Sequence, residues 1–284
     1  MTLPLTVVIL AKNEAQDILP CLESLRSISD DIHLVDSGSI DQTVSIATEF
    51  GARCHHHPFT GFGDQRNWAI DHIDHRYEWV LHLDADERAT PEFANELGEI
   101  LSRPSEHAGY FVPSKLMLGN RWLRRCSGYP VYQVRLFHKA RLRFVNLGHG
   151  QREVTEGTLG YLKQPYLHFA FSKGAQYWFE KHAAYASAEA LSSTEQEASV
   201  LSLFRMLLSR DAVTRRRVLK ALSFRLPCRE LLRFMHMYVV KRGFMDGYAG
   251  FTYARMVATY EAMIAVNVAM HRLQDKANDG TLQQ

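Results

Sequence analysis

The sequence of 284 residues predicts an α/β fold whose centre is an open, largely parallel sheet. Two observations lead to this fold class. Apolar, β-branched runs alternate with stretches of helical spacing through the first 90 residues, and the apolar runs end in polar loops. Such alternation is typical of βαβ units, in which ligands bind beyond the carboxyl ends of the strands.

The elements follow in order along the chain. The run LTVVILA at 5–11 is continuous and β-branched, as expected for a strand that is covered on both faces. In the helix that follows, Ile18, Leu22 and Leu25 share one face. Asp41 is the expected N-cap of the next helix, and Gly51 is its expected stop. The predicted strands are 5–11, 31–39, 52–57 and 78–87, and the predicted helices are 17–28, 41–51 and 63–73.

Beyond this region the pattern changes twice. Shorter β-like stretches, separated by aromatic residues and glycine turns, occupy 107–170, and we expect them to form an antiparallel extension that closes over the ligand pocket. Helical spacing predominates over 171–275, and 276–284 is expected to be a tail. The first domain is therefore predicted over 1–170, with 1–106 as its ligand-binding half.

Composition excludes several classes of protein. Hydrophobic residues make up 46% of the chain and charged residues 23%, which are ordinary values for a globular protein and exclude wholesale disorder. The first apolar run is too short for a signal peptide, and no window supplies the roughly 18 uncharged apolar residues of a transmembrane helix. The four cysteines form no CxxC pair, so reduced thiols are expected.

Positive charge is concentrated in one segment, although the net charge of the chain is only +2. We call 205–242 the basic segment, because Lys and Arg far outnumber Asp and Glu there. Its apolar residues interleave with the charges, which favours contact with an anionic membrane surface or an anionic glycolipid. A solvated helix face is the alternative. Nucleic acid is not expected, since no binding motif accompanies the charge.

Three acids lie within four residues at the end of the last predicted strand. We call Asp84, Asp86 and Glu87 the acidic rim. Their mutual repulsion would become attraction around a bound cation, whereas a solvated loop is the alternative. Polar loops also follow the first and second strands, at 12–14 and 36–39, and three such loops on one edge of a sheet favour a functional site. Carboxylate ligands indicate Mg²⁺ or Mn²⁺.

Several blocks of sequence resemble a known family. VVILAKNEA, VDSGSIDQT, GFGDQRNWAI and LHLDADE, in this order, resemble family 2 inverting glycosyltransferases of the GT-A fold. GYPVYQVRLFHKARLRF, GHGQREV and KRGFMDGYAGFTYARM are similar to the branch that contains lipopolysaccharide core β-1,4-glucosyltransferases. The resemblance covers nearly the whole chain. It implies the GT-A fold, a UDP-sugar donor and a glycolipid or lipopolysaccharide-core acceptor.

The resemblance also implies roles for residues at matching positions. Asp36 matches the acid that reads the uracil or ribose, and Arg66 and Asn67 match an Arg-Asn pair beside the donor. In the DxD motif, Asp86 matches the more direct metal ligand, and Asp84 stands beside it. The implied donor-binding residues are Ala11, Asn13, Glu14, Asp36, Ser37, Gly38, Ser39, Arg66, Asn67 and Asp84, with Asp41 shaping the second loop.

Inverting transfer needs a general base, because the attacking hydroxyl must lose its proton. Much of the branch has an Asp after the Pro of its YP motif, where this chain has Val131. The branch also commonly has a His-Glu pair, which GHGQRE matches with His149 and Glu153, so the resemblance implies Glu153 as the candidate base, with Glu87 as its rival and Asp86 as the other residue expected to serve catalysis. His149 is implied as a third metal ligand beside Asp84 and Asp86, and a hydrogen-bonded loop histidine is the alternative.

The sequence thus predicts a metal-dependent glycosyltransferase that moves a hexose, glucose by preference, at the cytoplasmic face of the inner membrane. Another cell-surface polysaccharide pathway is one alternative, and a non-catalytic protein that binds nucleotide sugar or membrane is another. A nucleotidyltransferase would be expected to carry a Gly-rich basic loop after the first strand, where this chain has AKNEAQ. Trp122 is either a core residue or a platform on which a sugar stacks.

Overall fold

The structure is a computed structural model that describes residues 2–147, 150–194 and 228–281. The chain divides into two compact units. The first consists of Met1–Arg124 and Gly128–Ser172, and the second of Arg125–Ser127 and Lys173–Gln284.

The first unit is built on one large mixed sheet. Its strands are β1 (Thr6–Ala11), β2 (Asp31–Asp36), β3 (Arg53–His56), β4 (Trp79–Asp84), β5 (Glu87–Arg88), β6 (His107–Leu118), β7 (Arg121–Trp122), β8 (Val131–His138), β11 (Thr158–Tyr161) and β12 (Tyr166–His168). The strand order is β3-β2-β1-β4-β8-β6-β12-β5, and β7 and β11 also pair with β6. A separate hairpin pairs β9 (Arg143–Leu147) with β10 (Gly150–Val154).

Helices cover both faces of this sheet. They are α1 (Ile18–Leu25), α2 (Thr43–Phe50), α3 (Phe62–His72) and α4 (Pro91–Leu101). One apolar core joins alternate residues of β1 and β4, such as Ile9 and Leu83, to α1 and α4. A second core joins the other faces of those strands to α3. Burial on both sides explains why β1 is a nearly continuous apolar run in the sequence, whereas β2 also buries the polar side chains Asp31 and His33.

Local signals set the ends of several helices. Gly51 ends α2 in the left-handed conformation at φ +102°, as predicted. Thr90 caps α4 by accepting the Phe93 N–H at 3.1 Å, with Pro91 in the first turn. α4 was not among the predicted helices, although its Thr-Pro pair is a sequence signal for a helix start.

The extension over 107–170 is mixed rather than antiparallel, which corrects the prediction. β8 is antiparallel to β4 and β6, as expected, but β11 and β12 both run parallel to β6. The β9–β10 hairpin comes between β8 and β11, and after it the chain enters the free edge of β6 in the same direction as β6. Length and composition of the short strands carry no information about this direction.

The second unit is helical in its described part. It contains α5 (Gly174–Thr194), α6 (Arg229–Met235) and α7 (Gly247–Thr281). Between α6 and α7 lie a π-helical turn at His236–Val240 and a 3₁₀ turn at Gly243–Asp246. Arg229 is buried in an ion pair with Glu261 of α7 at 2.5 Å. Within the described ranges, no helix has the length and hydropathy needed to cross a bilayer.

Candidate active site

The polar loops predicted to share one edge of the sheet do lie together. β1 is parallel to β2 and β4, and the register places Ala11 opposite Asp36 and Leu10 opposite Asp84. Neighbouring strands are about 4.8 Å apart, so Asp36 and Asp84 end two strands that flank β1 at roughly 10 Å from each other. The geometry therefore creates a single rim at the carboxyl ends of three strands.

The loops after β1 and β2 are joined by hydrogen bonds. The Asn13 N–H donates to Ser39 Oγ at 2.8 Å, and Asn13 Oδ1 accepts the Ile40 N–H at 2.9 Å. The Glu14 N–H donates to Thr43 Oγ1 at 2.7 Å. These contacts fix the two loops against each other without any ligand.

Asp36 organises its own loop. Its Oδ2 accepts the N–H groups of Gly38 and Ser39, both at 2.9 Å, and its Oδ1 accepts the Ser39 hydroxyl at 2.5 Å. Gln65 on α3 holds the same loop by donating to Ser37 Oγ at 3.0 Å. The predicted role of Asp36 in reading the uracil or ribose stays a prediction, and the observed role is to order residues 37–39.

Asp84 lies between two buried arginines. Arg66 Nη2 on α3 donates to Asp84 Oδ1 at 3.3 Å, and Arg135 Nη2 on β8 donates to Asp84 Oδ2 at 2.7 Å. Burial disfavours the charged carboxylate, but Arg135 and Arg66 outweigh burial and hold the pKa of Asp84 well below its usual range. Both oxygens of Asp84 are therefore engaged by the protein itself.

Arg135 reaches the acidic rim through a β-bulge. Tyr110 pairs with Leu136 and Phe111 with Val134, so Arg135 has no opposite residue on β6. A bulge re-aims the side chain of its extra residue. Here the buried guanidinium contacts Asp84 and Glu87 together.

Glu87 is the fully buried member of the acidic rim. Its side chain has no exposed surface, one oxygen contacts Arg135, and the other accepts the Asp84 N–H at 3.0 Å. Burial raises the pKa of Glu87 to about 7, against the opposing effect of Arg135. A substrate hydroxyl cannot reach this carboxylate, so the geometry does not support Glu87 as a rival base.

Asp86 contacts His168, which the sequence analysis did not select. His168 Nε2 lies 3.3 Å from Asp86 Oδ2, and both side chains are a little under one third exposed. Burial lowers the pKa of His168, but Asp86 and the other acids outweigh burial and raise that pKa to about 9. The Phe169 N–H also donates to the Asp86 carbonyl at 2.8 Å, which fixes β12 to this turn.

The protein supplies its own cations to the acidic rim. Arg66, Arg135 and His168 face Asp84, Asp86 and Glu87 through the contacts above. The repulsion that suggested a bound cation is thus relieved in part by side chains. A metal could bind this site only through side-chain oxygen or nitrogen atoms that are accessible from the surface.

Asp86 and His168 meet that condition only once His168 gives up its proton, because the imidazolium form paired with Asp86 has no lone pair for a metal. They present an oxygen and a nitrogen 3.3 Å apart at the open side of the rim, and Mg²⁺ needs only one or two protein ligands when substrate phosphates and water complete its shell. Asp84, by contrast, has both oxygens on arginines. Within the described residues, no group of three or more His, Cys, Asp or Glu side chains is arranged to hold a metal.

Arg66 and Asn67 are adjacent in sequence but serve different neighbours. Arg66 lies at the rim, where its Nε also donates to Gln151 at 2.7 Å. Asn67 instead pairs with the backbone of Phe144, donating to its carbonyl at 2.7 Å and accepting its N–H at 3.0 Å. Consecutive helical residues point about 100° apart, so the expected pair is divided between the rim and β9.

The candidate base lies on the hairpin beside α3. Alternate residues of β10 share a face, which places Glu153 on the same side as Gln151, the partner of Arg66. Glu153 therefore points toward the side of the hairpin that meets the rim, and its catalytic role stays a prediction. His149 lies outside the described residues.

Trp122 forms a cationic cluster on β7. Lys115 Nζ lies 4.8 Å and the Arg124 guanidinium 5.4 Å from the centre of its ring, and Tyr129 packs edge-on at 5.0 Å. Its indole N–H is buried and donates to no atom of the described residues. The ring is half-buried, so the prediction of a sugar platform stays open.

Comparison with known proteins adds independent information. The sequence profile of glycosyl transferase family 2 matches residues 6–155, which is more than half of the chain. A protein of Rickettsia felis named as an uncharacterized glycosyltransferase is 26% identical over 245 residues, covering 86% of this chain and 81% of its own. LpsC of Rhizobium meliloti, a lipopolysaccharide core biosynthesis glycosyltransferase, is 26% identical over 159 residues, covering 54% of this chain and 55% of its own.

Solved structures match a smaller part. Glucosyl-3-phosphoglycerate synthase from Mycobacterium tuberculosis, in complex with Mn²⁺, UDP and glucosyl-3-phosphoglycerate, is 24% identical with a TM-score of 0.33, covering 40% of this chain and 44% of its own. Mannosyl-3-phosphoglycerate synthase from Rubrobacter xylanophilus is 25% identical with a TM-score of 0.33, covering 40% of each chain. The chain spans less than half the length of these structures, so nothing about its substrates follows from them.

Proposed function

The chain belongs to glycosyl transferase family 2, and from that premise we propose that it transfers a hexose from a UDP-sugar to a lipid-linked or lipopolysaccharide-core acceptor. We propose glucose as the hexose that is transferred. The family match confirms the resemblance drawn from the sequence blocks and the expectation of a GT-A glycosyltransferase fold. Donor, metal dependence and acceptor are parts of the proposal.

One observation supports the donor site above all others. The preordered loops of β1 and β2 lie on the same edge of the sheet as Asp84 and Asp86, which brings hydrogen-bonding groups and acids together at one site. Buried Nη1 atoms of Arg66 and Arg135 find no acceptor among the described residues. A diphosphate oxygen would supply the missing acceptors, and buried donors without partners are costly.

A divalent cation, Mg²⁺ or Mn²⁺, would be held by Asp86 together with His168 in its neutral form. When bound, it would neutralise charge on the departing diphosphate. His168 is a further candidate ligand, and His149, which lies outside the described residues, stays a prediction. Asp84 acts as a positioning residue in this proposal, since its carboxylate is held by two guanidinium groups.

Side chains of the protein serve the remaining steps of the proposed sugar transfer. The acceptor hydroxyl attacks the anomeric carbon, the bond from that carbon to the diphosphate oxygen breaks, and UDP leaves with the electron pair. Glu153 takes the hydroxyl proton, as the resemblance implies. Arg66 and Arg135 hold positive charge close to the leaving group, where fixed charges stabilise a developing anion most strongly.

The acceptor class rests on LpsC, whose name places it in lipopolysaccharide core biosynthesis. A lipid-linked acceptor is presented at a membrane surface, so we place the protein peripherally on the cytoplasmic face of the inner membrane. Another cell-surface polysaccharide pathway would use the same donor site with a different acceptor. A non-catalytic relative would bind the donor without transferring sugar.

The first test is thermal melting against UDP, other nucleoside diphosphates and UDP-sugars, with and without Mn²⁺. Ligand at 100 times its Kd stabilises the folded state by about 2.7 kcal/mol, which corresponds to a rise in Tm of about 5–10 °C. We expect this shift with UDP and one UDP-sugar. It should require Mn²⁺ in the wild type and vanish in Asp86→Asn.

Asp84→Asn is expected to weaken the UDP shift but to keep its dependence on Mn²⁺, because Asp84 is bound to arginines rather than open to metal. Asp71→Asn is the matched control, since Asp71 is an exposed partner of Arg143 on the surface of α3. Absence of any nucleotide shift would remove the donor site. A UDP shift without sugar transfer to any lipid-linked acceptor would instead favour the non-catalytic alternative.

A further inference from the structure

The turn between α6 and α7 exposes a compact set of apolar side chains. Val239, Val240, Phe244, Met245 and Tyr248 are between 47% and 83% exposed, and we call them the apolar corner. They lie within ten residues of chain. Single exposed apolar residues are normal on a protein surface, but five of them within ten residues of chain favour an interaction site.

The backbone of the corner is tightly packed, so the exposure does not result from a frayed segment. A Cβ on Gly243 would lie 2.7 Å from the Met237 carbonyl oxygen, and one on Gly250 would lie 2.1 Å from the Gly243 carbonyl oxygen. Asp246 accepts the N–H groups of Arg125 at 2.9 Å and Cys126 at 2.7 Å. These contacts hold the apolar side chains outward.

Two cations lie within the corner. Lys241 and Arg242 separate Val240 from Phe244, and in the described part of the chain neither forms an ion pair with a carboxylate. The one acid of this turn, Asp246, is occupied by backbone amides. The corner therefore combines unpaired positive charge with apolar side chains.

That combination fits an anionic bilayer surface better than a protein partner. Apolar side chains enter the boundary between headgroups and acyl chains, while Lys and Arg interact with anionic headgroups. A stable protein interface uses roughly 20–30 residues on each side, and the corner offers five apolar side chains. A bilayer needs no complementary groove.

We propose that the apolar corner is the membrane-insertion site of this protein, with an anionic lipid surface as its partner. The inference deepens the proposed function, because a glycolipid acceptor is presented at such a surface. It moves the expected contact from the basic segment as a whole to the turn at 239–248. Residues 205–227 of the basic segment lie outside the described residues.

The test is co-sedimentation of the full-length protein with vesicles of phosphatidylglycerol and phosphatidylcholine, and with vesicles of phosphatidylcholine alone. Val240→Ser/Phe244→Ser/Met245→Ser should lower the partition coefficient at least tenfold. Lys241→Gln/Arg242→Gln should lower it about fivefold per charge on anionic vesicles only. Leu273→Ser, an exposed position far along α7, is the matched control and should bind as the wild type does.

Wild-type binding that the triple variant leaves unchanged would overturn the proposal, as would failure of the wild type to bind anionic vesicles. A dimer in light scattering that the triple variant dissociates would assign the corner to a second copy instead. Every variant should keep the UDP melting shift. Loss of vesicle binding in a protein that never responds to UDP would leave this inference standing while the proposed function fails.

Discussion

Two buried arginines explain the acidic rim at the scale of single residues. Arg66 and Arg135 are 2% and 1% exposed, and both donate to Asp84. A buried cation and its carboxylate partners stabilise each other only as a set, because removal of one member leaves an uncompensated buried charge. The rim is therefore a structural unit as well as a candidate binding site.

The first prediction concerns Arg135. Arg135→Met leaves Glu87 fully buried without its cation, and we expect a loss of about 3–5 kcal/mol in the free energy of unfolding. Adding Glu87→Leu should recover at least half of this loss, since Asp84 keeps Arg66. Urea denaturation of the two single variants and the double variant gives the coupling energy.

Arg76→Met is the control for this cycle. Arg76 is 61% exposed and pairs with Asp30 at 2.9 Å on the surface, so its loss should cost less than about 1 kcal/mol. Strictly additive effects of Arg135→Met and Glu87→Leu would show that the two residues do not act as a pair.

At the scale of elements, α3 is positioned by its contact with β9. The Gly63 N–H donates to Asn146 Oδ1 at 2.8 Å, and Asn67 pairs with the backbone of Phe144 one turn later. This contact sets where Arg66, on the same helix, meets Asp84. The donor site thus depends on the distance between a helix and a hairpin strand.

Gly63→Ala tests that dependence. A Cβ at Gly63 would lie 2.8 Å from the Val145 carbonyl carbon and 2.9 Å from the Asn146 nitrogen, so the helix must move away from β9. We expect a loss of about 1–3 kcal/mol in the free energy of unfolding. The Tm shift with UDP should fall as well, because Arg66 moves with α3.

Gly98→Ala in α4 is the matched control. Its Cβ would meet only Leu3 Cδ2 at 3.4 Å, and alanine is favoured over glycine in a helix interior by about 1 kcal/mol. Stability should stay unchanged or rise, with a normal UDP shift. Equal effects of the two substitutions on stability and on the UDP shift would contradict the role of the contact between α3 and β9 in positioning Arg66.

At the scale of the whole molecule, buried neutral histidines link folding to pH. His75 is 8% exposed, its Nδ1 lies 2.7 Å from the Ile73 carbonyl oxygen, and its Nε2 has no partner among the described residues. Burial lowers the pKa of His75 to about 4, with Lys139 and His33 acting in the same direction and Asp74 opposing them. The folded protein therefore resists protonation at this site.

The sign of the pH dependence follows from that depressed pKa. Between about pH 6.5 and pH 4 the unfolded chain binds a proton that the folded protein excludes, so stability is complete above pH 6.5 and falls on acidification. The contribution lost is about 2 kcal/mol at pH 5 and about 3 kcal/mol at pH 4. Urea denaturation across this range measures it.

His75→Asn keeps a side-chain amide that can donate to Ile73 but cannot titrate. The variant should lose about 2 kcal/mol less than the wild type between pH 7 and pH 5. Tryptophan fluorescence is a suitable probe, because Trp68, Trp79 and Trp122 of the four tryptophans lie in the first unit. Parallel pH profiles for the two proteins would contradict the assignment.

Local sequence determined the first half of the large sheet. β1, β2 and β4 are buried on both faces, and strands of that kind are rich in apolar residues that are visible without any partner strand, although β2 and β4 also bury His33 and His82. Gly51 and the polar loops at the strand ends are equally local signals. Parallel strands then bring their carboxyl ends to one edge, so Asp36, Asp84 and Asp86 could be placed together from the sequence.

Only the tertiary structure decided which side chains surround those acids. Arg135 reaches Asp84 because a bulge removes its partner on β6, and His168 arrives from a strand more than 80 residues later in the chain. The sequence signal for Arg135 was an isolated arginine within the apolar stretch VRLF. No sequence signal pointed to His168. Burial of Glu87 and the pairing of Asn67 with β9 depend on the same long-range register, which local spacing does not encode.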